Sequence, residues 1–258
     1  MTVELNFTKY GDIHEPLLIL HGLFGSARNW HGVAKQLAER YTVYTLDLRN
    51  HGSSPHADDM DYASMSADVS AFMARQNLTS ATVIGHSMGG KVAMELALSD
   101  SSKVNKLVVV DIAPVVYKHN FDDVLVGLYH VPVDTVSSRK DADAYLAEKV
   151  KDVGLRQFLL QNLVTNTAGG YQWRVNLASI EENMPDIMGF SSKNDRAYSG
   201  RTQFIKGGKS TYLASRYKGT ALNMFPNAEF KTIDQSGHWP HIESPQKFMA
   251  TLDQFLAA

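Results

Sequence analysis

A short apolar run, Ala81-Thr82-Val83-Ile84, passes through Gly85-His86-Ser87-Met88-Gly89 straight into helical spacing over Met88 to Ser99. That junction limits the fold sharply. A strand that turns into a helix across one residue leaves no room for side chains beside the turn, so glycine is needed on both flanks. It also leaves Ser87 at a helix N-terminus, where backbone N–H groups point at negative charge. Gly-x-Ser-x-Gly is a common string by itself; between a strand and a helix it predicts a nucleophile elbow.

The rest of the chain repeats the alternation. Val3 to Tyr10 alternates like an antiparallel edge strand, and Leu17 to Leu20 is apolar throughout, as a strand buried on both faces should be. Helical spacing follows over Asn29 to Glu39, a strand over Tyr41 to Leu48, a helix over Tyr62 to Gln76, and a strand over Val104 to Ile112. This rhythm predicts an α/β fold with a mostly parallel central sheet and helices on both faces, and the nucleophile elbow set within it is the mark of the α/β-hydrolase fold. Between Val115 and Ala197 it stops. That stretch holds no convincing buried strand, and Asp122 to Tyr129, Asp141 to Val150 and Leu155 to Leu163 have helical spacing. The pattern resumes with a strand at Thr202 to Ile205, a helix near Tyr212 to Lys218, a strand at Ala228 to Ile233 and an amphipathic helix at Pro245 to Leu256. We read residues 1–114 and 198–258 as one core, and 115–197 as a helical cap inserted after the strand ending near Ile112. An insertion at the C-terminal edge of such a sheet lies over the ligand crevice.

Composition removes several alternatives. The 258 residues suffice for one sizeable core. The absence of cysteine excludes disulfides, a thiol nucleophile and Cys-ligated zinc. A net charge of −2 gives no bulk reason to bind nucleic acid or an anionic membrane. No apolar run is long enough for a signal-peptide core or a membrane span, so a cytoplasmic location is expected. No oligomeric state beyond a monomer or small homo-oligomer is implied, and no cofactor. His51 and His56 lack carboxylates at a ligand spacing, so no metal is expected.

A serine hydroxyl needs a base. His238, in Ser236-Gly237-His238-Trp239 just past the final strand, is the candidate among ten histidines. His241 reads as structural, and His86 as core or pocket wall. His21-Gly22-Leu23-Phe24-Gly25 follows a buried strand and could hold an oxyanion. The donors would be the N–H groups of Met88 and Leu23, with Phe24 competing for the second role. The acid is less direct. In many such folds it follows the penultimate strand, but the matching position is Ser210, and a serine carries no charge to steady an imidazolium. Asp111, at the preceding strand end, is the expected acid, with Ser210 as an auxiliary and Asp195 as the weaker alternative. Asp47 and Arg49 read as loop ties. Phe24, His86 and Trp239 are the expected substrate contacts.

As a set, His21-Gly-Leu-Phe-Gly-Ser, Asp47-Leu-Arg-Asn-His-Gly, Gly85-His-Ser-Met-Gly-Gly, Asp111-Ile-Ala-Pro, Phe204-Ile-Lys-Gly-Gly-Lys-Ser and Gly237-His-Trp resemble the YbfF-type esterases. The likeness spans nearly the whole chain and is looser in the insertion, apart from Phe158-Leu-Leu and Trp173-Arg-Val-Asn. It implies a carboxylesterase on short to medium acyl chains, with thioesterase activity towards acyl-CoA as an extension. It also implies an acid on the strand before the cap. Three other readings use the same scaffold: a cofactor-free haloperoxidase, a C–C bond hydrolase, and a binding protein whose triad is vestigial.

Overall fold

The computed structural model describes residues 1–13, 15–118, 121–190 and 196–257. Seven strands among them form one sheet: β1 (Phe7–Tyr10), β2 (Pro16–Leu20), β3 (Thr42–Leu46), β4 (Ala81–His86), β5 (Val104–Val110), and, after the insertion, β8 (Arg201–Gly207) and β9 (Ala228–Ile233). The order is β1-β3-β2-β4-β5-β8-β9, and only the β1–β3 pair is antiparallel. Both faces are covered because successive side chains alternate. Leu18, Leu20, Val83, Leu107, Val109 and Phe204 pack on one side with α2 (Tyr62–Arg75) and α3 (Met88–Ser99). Leu17, Ile19, Ile84, Val108, Val110 and Ile205 pack on the other, against α1 (His31–Leu37) and α11 (Pro245–Ala257). The core is thus two layers split by the sheet.

Between β5 and β8 lie α4 (Asp122–His130), α5 (Arg139–Lys149), α6 (Val153–Leu159), a two-stranded hairpin of β6 (Leu163–Thr165) and β7 (Tyr171–Trp173), then α7 (Leu177–Glu182) and α8 (Met184–Met188). α9 (Lys218–Met224) and α10 (Pro240–Glu243) flank β9. The inserted helices are bonded to the core. Asn50 Nδ2 donates to Ser179 Oγ at 3.0 Å, and the Met60 N–H to Asn183 Oδ1 at 3.0 Å. Buried Lys91 of α3 donates to the carbonyls of Met188 (3.1 Å) and Gly189 (2.6 Å). Its burial pushes the ammonium pKa down to about 7. No helix among the described residues is long and apolar enough to cross a membrane.

Three expectations need correction. Helical spacing over Leu155 to Leu163 is too long: α6 ends at Leu159, a 3₁₀ turn covers Leu160–Asn162, and Leu163 opens the hairpin. The helix expected near Tyr212 to Lys218 begins only at Lys218, after a loop and a 3₁₀ turn at Ser215–Tyr217. Tyr212, at the start of that stretch, packs on the site instead, as described below. The first strand starts at Phe7 rather than Val3, whose N–H is instead bonded to Asp68 Oδ1 at 2.7 Å. Neither α7 nor α8 was anticipated. Asp195 lies outside the described residues.

Candidate active site

Ser87 is the pivot between β4 and α3, with φ 51° and ψ −119°. That left-handed backbone costs a non-glycine residue of order 1–3 kcal/mol and persists only when the surroundings impose it. They do so through contact. A Cβ on Gly85 would lie 2.2 Å from the Gly89 carbonyl oxygen, and one on Gly89 would lie 2.5 Å from the carbonyl oxygens of Leu20 and His21. The Ser87 N–H donates to the Val110 carbonyl at 3.0 Å, extending the β4–β5 ladder by one step.

That ladder places the acid. His86 pairs with Val110, so the next step sets Ser87 beside Asp111 on adjacent strand ends. Asp111 also has positive φ, 51°, and its N–H donates to the Ile205 carbonyl at 2.8 Å. Its buried carboxylate collects three donors. The Gly207 N–H reaches Oδ1 at 2.9 Å, His238 Nδ1 lies 2.8 Å from Oδ2, and the Ser210 hydroxyl donates to Oδ2. A carboxylate only accepts, so His238 Nδ1 carries the proton. The Nε2 lone pair is then left facing Ser87 Oγ, 3.0 Å away. Sequence reasoning brought Ser87, His238, Asp111 and Ser210 together, and the structure places all four in one hydrogen-bonded chain.

Besides His86, residues that the sequence did not single out hold His238. Glu243 of α10 accepts from the N–H groups on both sides of it, Gly237 at 2.6 Å and Trp239 at 3.0 Å. His86 Nε2 donates to the His238 carbonyl at 2.7 Å. Tyr212 stacks on the imidazole with centroids 4.1 Å apart. Gly207 packs against the same turn so closely that a Cβ would lie 1.8 Å from the Gly237 carbonyl oxygen. The paired Gly207-Gly208 after a strand was the one local signal for this approach.

Met88 is the first residue of α3, directly after Ser87, and Leu23 lines the cavity beside the serine. Of the two N–H groups weighed for the second donor, that of Phe24 is already bonded to His51 Nε2 at 3.0 Å. The Leu23 N–H has no such partner among the described residues. Asp47 accepts from Asn6, Ala27 and Ser53, and Arg49 makes a buried ion pair with Asp68, so both tie loops as expected.

Four histidines around the site are buried and neutral. Burial is the main cause of the lowered pKa of His21, His51, His86 and His241. His241 lies flat on Trp30, with centroids 4.1 Å apart, and its Nδ1 has no partner among the described residues. Its pKa falls from 6.5 to about 3. Between those values the unfolded chain binds the extra proton, so this residue's contribution to stability is lost as pH drops. His241→Phe keeps a flat aromatic ring on Trp30 and removes that linkage. Its acid-unfolding midpoint by circular dichroism is expected below that of the parent; an unchanged or higher midpoint would contradict the assignment.

Ser87 and His238 open into a cavity of about 160 Å³, walled by Phe24, Leu155, Phe158, Tyr212 and Trp239. His86 lines it too. Leu155 and Phe158 come from α6, in the insertion. Larger surface clefts of about 790 and 580 Å³ are not lined by Ser87 or His238.

Comparison with known proteins agrees with this fold. The description of the alpha/beta hydrolase family matches residues 17–251. The chain belongs to the alpha/beta hydrolase family. Within it, the chain is a relative of esterase YbfF of Escherichia coli, 33% identical over 94% of this chain and 93% of that protein. The sn-1-specific diacylglycerol lipase ABHD11 of Mus musculus is 39% identical, over 96% of this chain and 83% of that protein. Among solved structures, a marine microorganism esterase superposes with a TM-score of 0.96 at 39% identity, covering 98% of this chain and 100% of that one. The expected resemblance to YbfF-type esterases is borne out.

Proposed function

We propose that this chain is a serine hydrolase that cleaves carboxylic esters of short to medium acyl chains through an acyl-enzyme on Ser87. The observation that carries the reading is the continuous chain from Asp111 through His238 to Ser87 Oγ. His238 Nε2 takes the Ser87 proton as Oγ attacks the carbonyl carbon, and returns it to the departing alkoxide. Asp111 stays ionised and steadies the imidazolium that forms between these steps. The N–H groups of Met88 and Leu23 receive the oxyanion. Water, activated by His238, then hydrolyses the acyl-enzyme, and the serine is restored. Residues 115–197 act as a cap over this site, with α6 forming part of the acyl wall. The names of the relatives, esterase and lipase, support an oxygen ester as the bond cleaved.

The cavity supports the shorter end of the acyl range. A site of about 150 Å³ holds a benzene-sized molecule, roughly six carbons. Each methylene buried adds about 0.8 kcal/mol, a factor of about four. Across p-nitrophenyl esters of graded length, kcat/KM is expected to climb by up to that factor per methylene to about six carbons, then fall. A continued rise to twelve carbons, or a flat profile, would sink the short-chain assignment. Acyl-CoA thioesters of the same lengths test the thioesterase extension: turnover comparable to the oxygen esters adds it, and none removes it.

A further inference from the structure

We propose that Asn162 and His51 are positioning residues for the oxyanion donor, so that the insertion takes part in setting the catalytic geometry as well as shaping the pocket. This rests on the reading of Ser87 as nucleophile and Leu23 as donor.

Phe24 follows the donor residue directly and holds φ at 60°. A bulky side chain in that region is strained, so neighbours must over-determine it. Two buried side chains do, one on each side of its Cα. On one side the Phe24 N–H donates to His51 Nε2 at 3.0 Å. His51 Nδ1 lies 2.9 Å from the Arg49 carbonyl, an acceptor, so Nδ1 bears the proton and Nε2 is free to accept. On the other side the Phe24 carbonyl accepts from Asn162 Nδ2 at 2.8 Å. Both peptide groups flanking the Phe24 Cα are thereby pinned. The Leu23 N–H, beside the cavity, is left without a partner among the described residues.

Asn162 is separated from Phe24 by 138 positions and closes the 3₁₀ turn after α6. It is itself fixed: its carbonyl accepts from the Arg174 N–H at 2.8 Å, and its Nδ2 also lies 3.3 Å from the Leu159 carbonyl. Its neighbour Gln161 accepts from Asn29 Nδ2 at 2.8 Å, a second bridge from the same turn, to the 3₁₀ turn Ala27–Trp30 that follows the loop. The α6 segment that supplies Leu155 and Phe158 to the acyl wall therefore also grips the oxyanion loop.

Losing an oxyanion donor outright costs about 10²–10³ in turnover, so a displaced one should cost about 10–100-fold. Asn162→Leu removes the donor while keeping the size. It is expected to lower kcat by about 10–100-fold with KM within about threefold. A trifluoromethyl ketone, which forms an oxyanion on the serine, should lose affinity by the same factor, while the matching secondary alcohol, which cannot, should bind as before. If the leucine variant does not fold, Asn162→Asp, equal in size and lacking the donor, is read in the same way. A kcat within twofold of the parent, or ketone and alcohol weakening together, would overturn the proposal, since the second result marks a damaged pocket. Failure of the underlying reading looks different: Ser87→Ala would retain turnover whatever residue 162 is.

Discussion

The Ser87→Ala protein is expected to lose turnover of a p-nitrophenyl ester by a factor on the order of 10⁴–10⁶, with its fold intact. The size of the loss follows from geometry. Ser87 is the only hydroxyl bonded to His238 Nε2, at 3.0 Å, and no other nucleophile stands on that lone pair among the described residues. What would remain is the modest catalysis of the oxyanion donors and the pocket acting on water. The fold should survive because the elbow is imposed by contacts of Gly85 and Gly89, which the substitution leaves alone. A melting temperature within about 4 °C of the parent would correspond to about 1 kcal/mol in a chain of this size. Turnover within tenfold of the parent would remove Ser87 from the chemistry.

Asp111→Asn is the second large effect, expected to lower kcat by about 10⁴ with little change in KM. The carboxylate is wholly buried, and three donors converge on it from Gly207, Ser210 and His238. An amide there has no charge to offset the imidazolium. It also presents donor and acceptor together, so His238 is no longer held with its proton on Nδ1. Ser210→Ala removes only an auxiliary hydroxyl and should cost far less. Asp195→Asn should also cost far less. A larger loss at Asp195 than at Asp111 would move the acid.

Much of this site was legible because its parts are local. The elbow needs a strand, two glycines and a helix in one stretch, and α3 begins at Met88 as its spacing predicts. β9 and the start of α11 were likewise marked by nearby turns and a clear period. Asp111 was reached by elimination, and the sheet order explains why this works. β5 lies between β4 and β8, so an acid at its end meets the same histidine that one after β8 would meet. Other features were illegible for physical reasons. A helix is expected from Tyr212, but Tyr212 lies in a loop that the site holds, where its ring stacks on His238. The β6–β7 hairpin has three-residue strands, too short for alternation to show. Glu243, His51 and Asn162 carry no local signature. Their roles depend on a backbone group that the fold brings near, across 138 positions for Asn162.

The most direct test is covalent. Mixing the protein with a p-nitrophenyl ester, quenching in acid within the first turnovers and mapping peptides by mass spectrometry should place the acyl group on Ser87. Ser87→Ala should carry none. An acyl group on another residue, or none on any residue during rapid turnover, would contradict an acyl-enzyme at this serine.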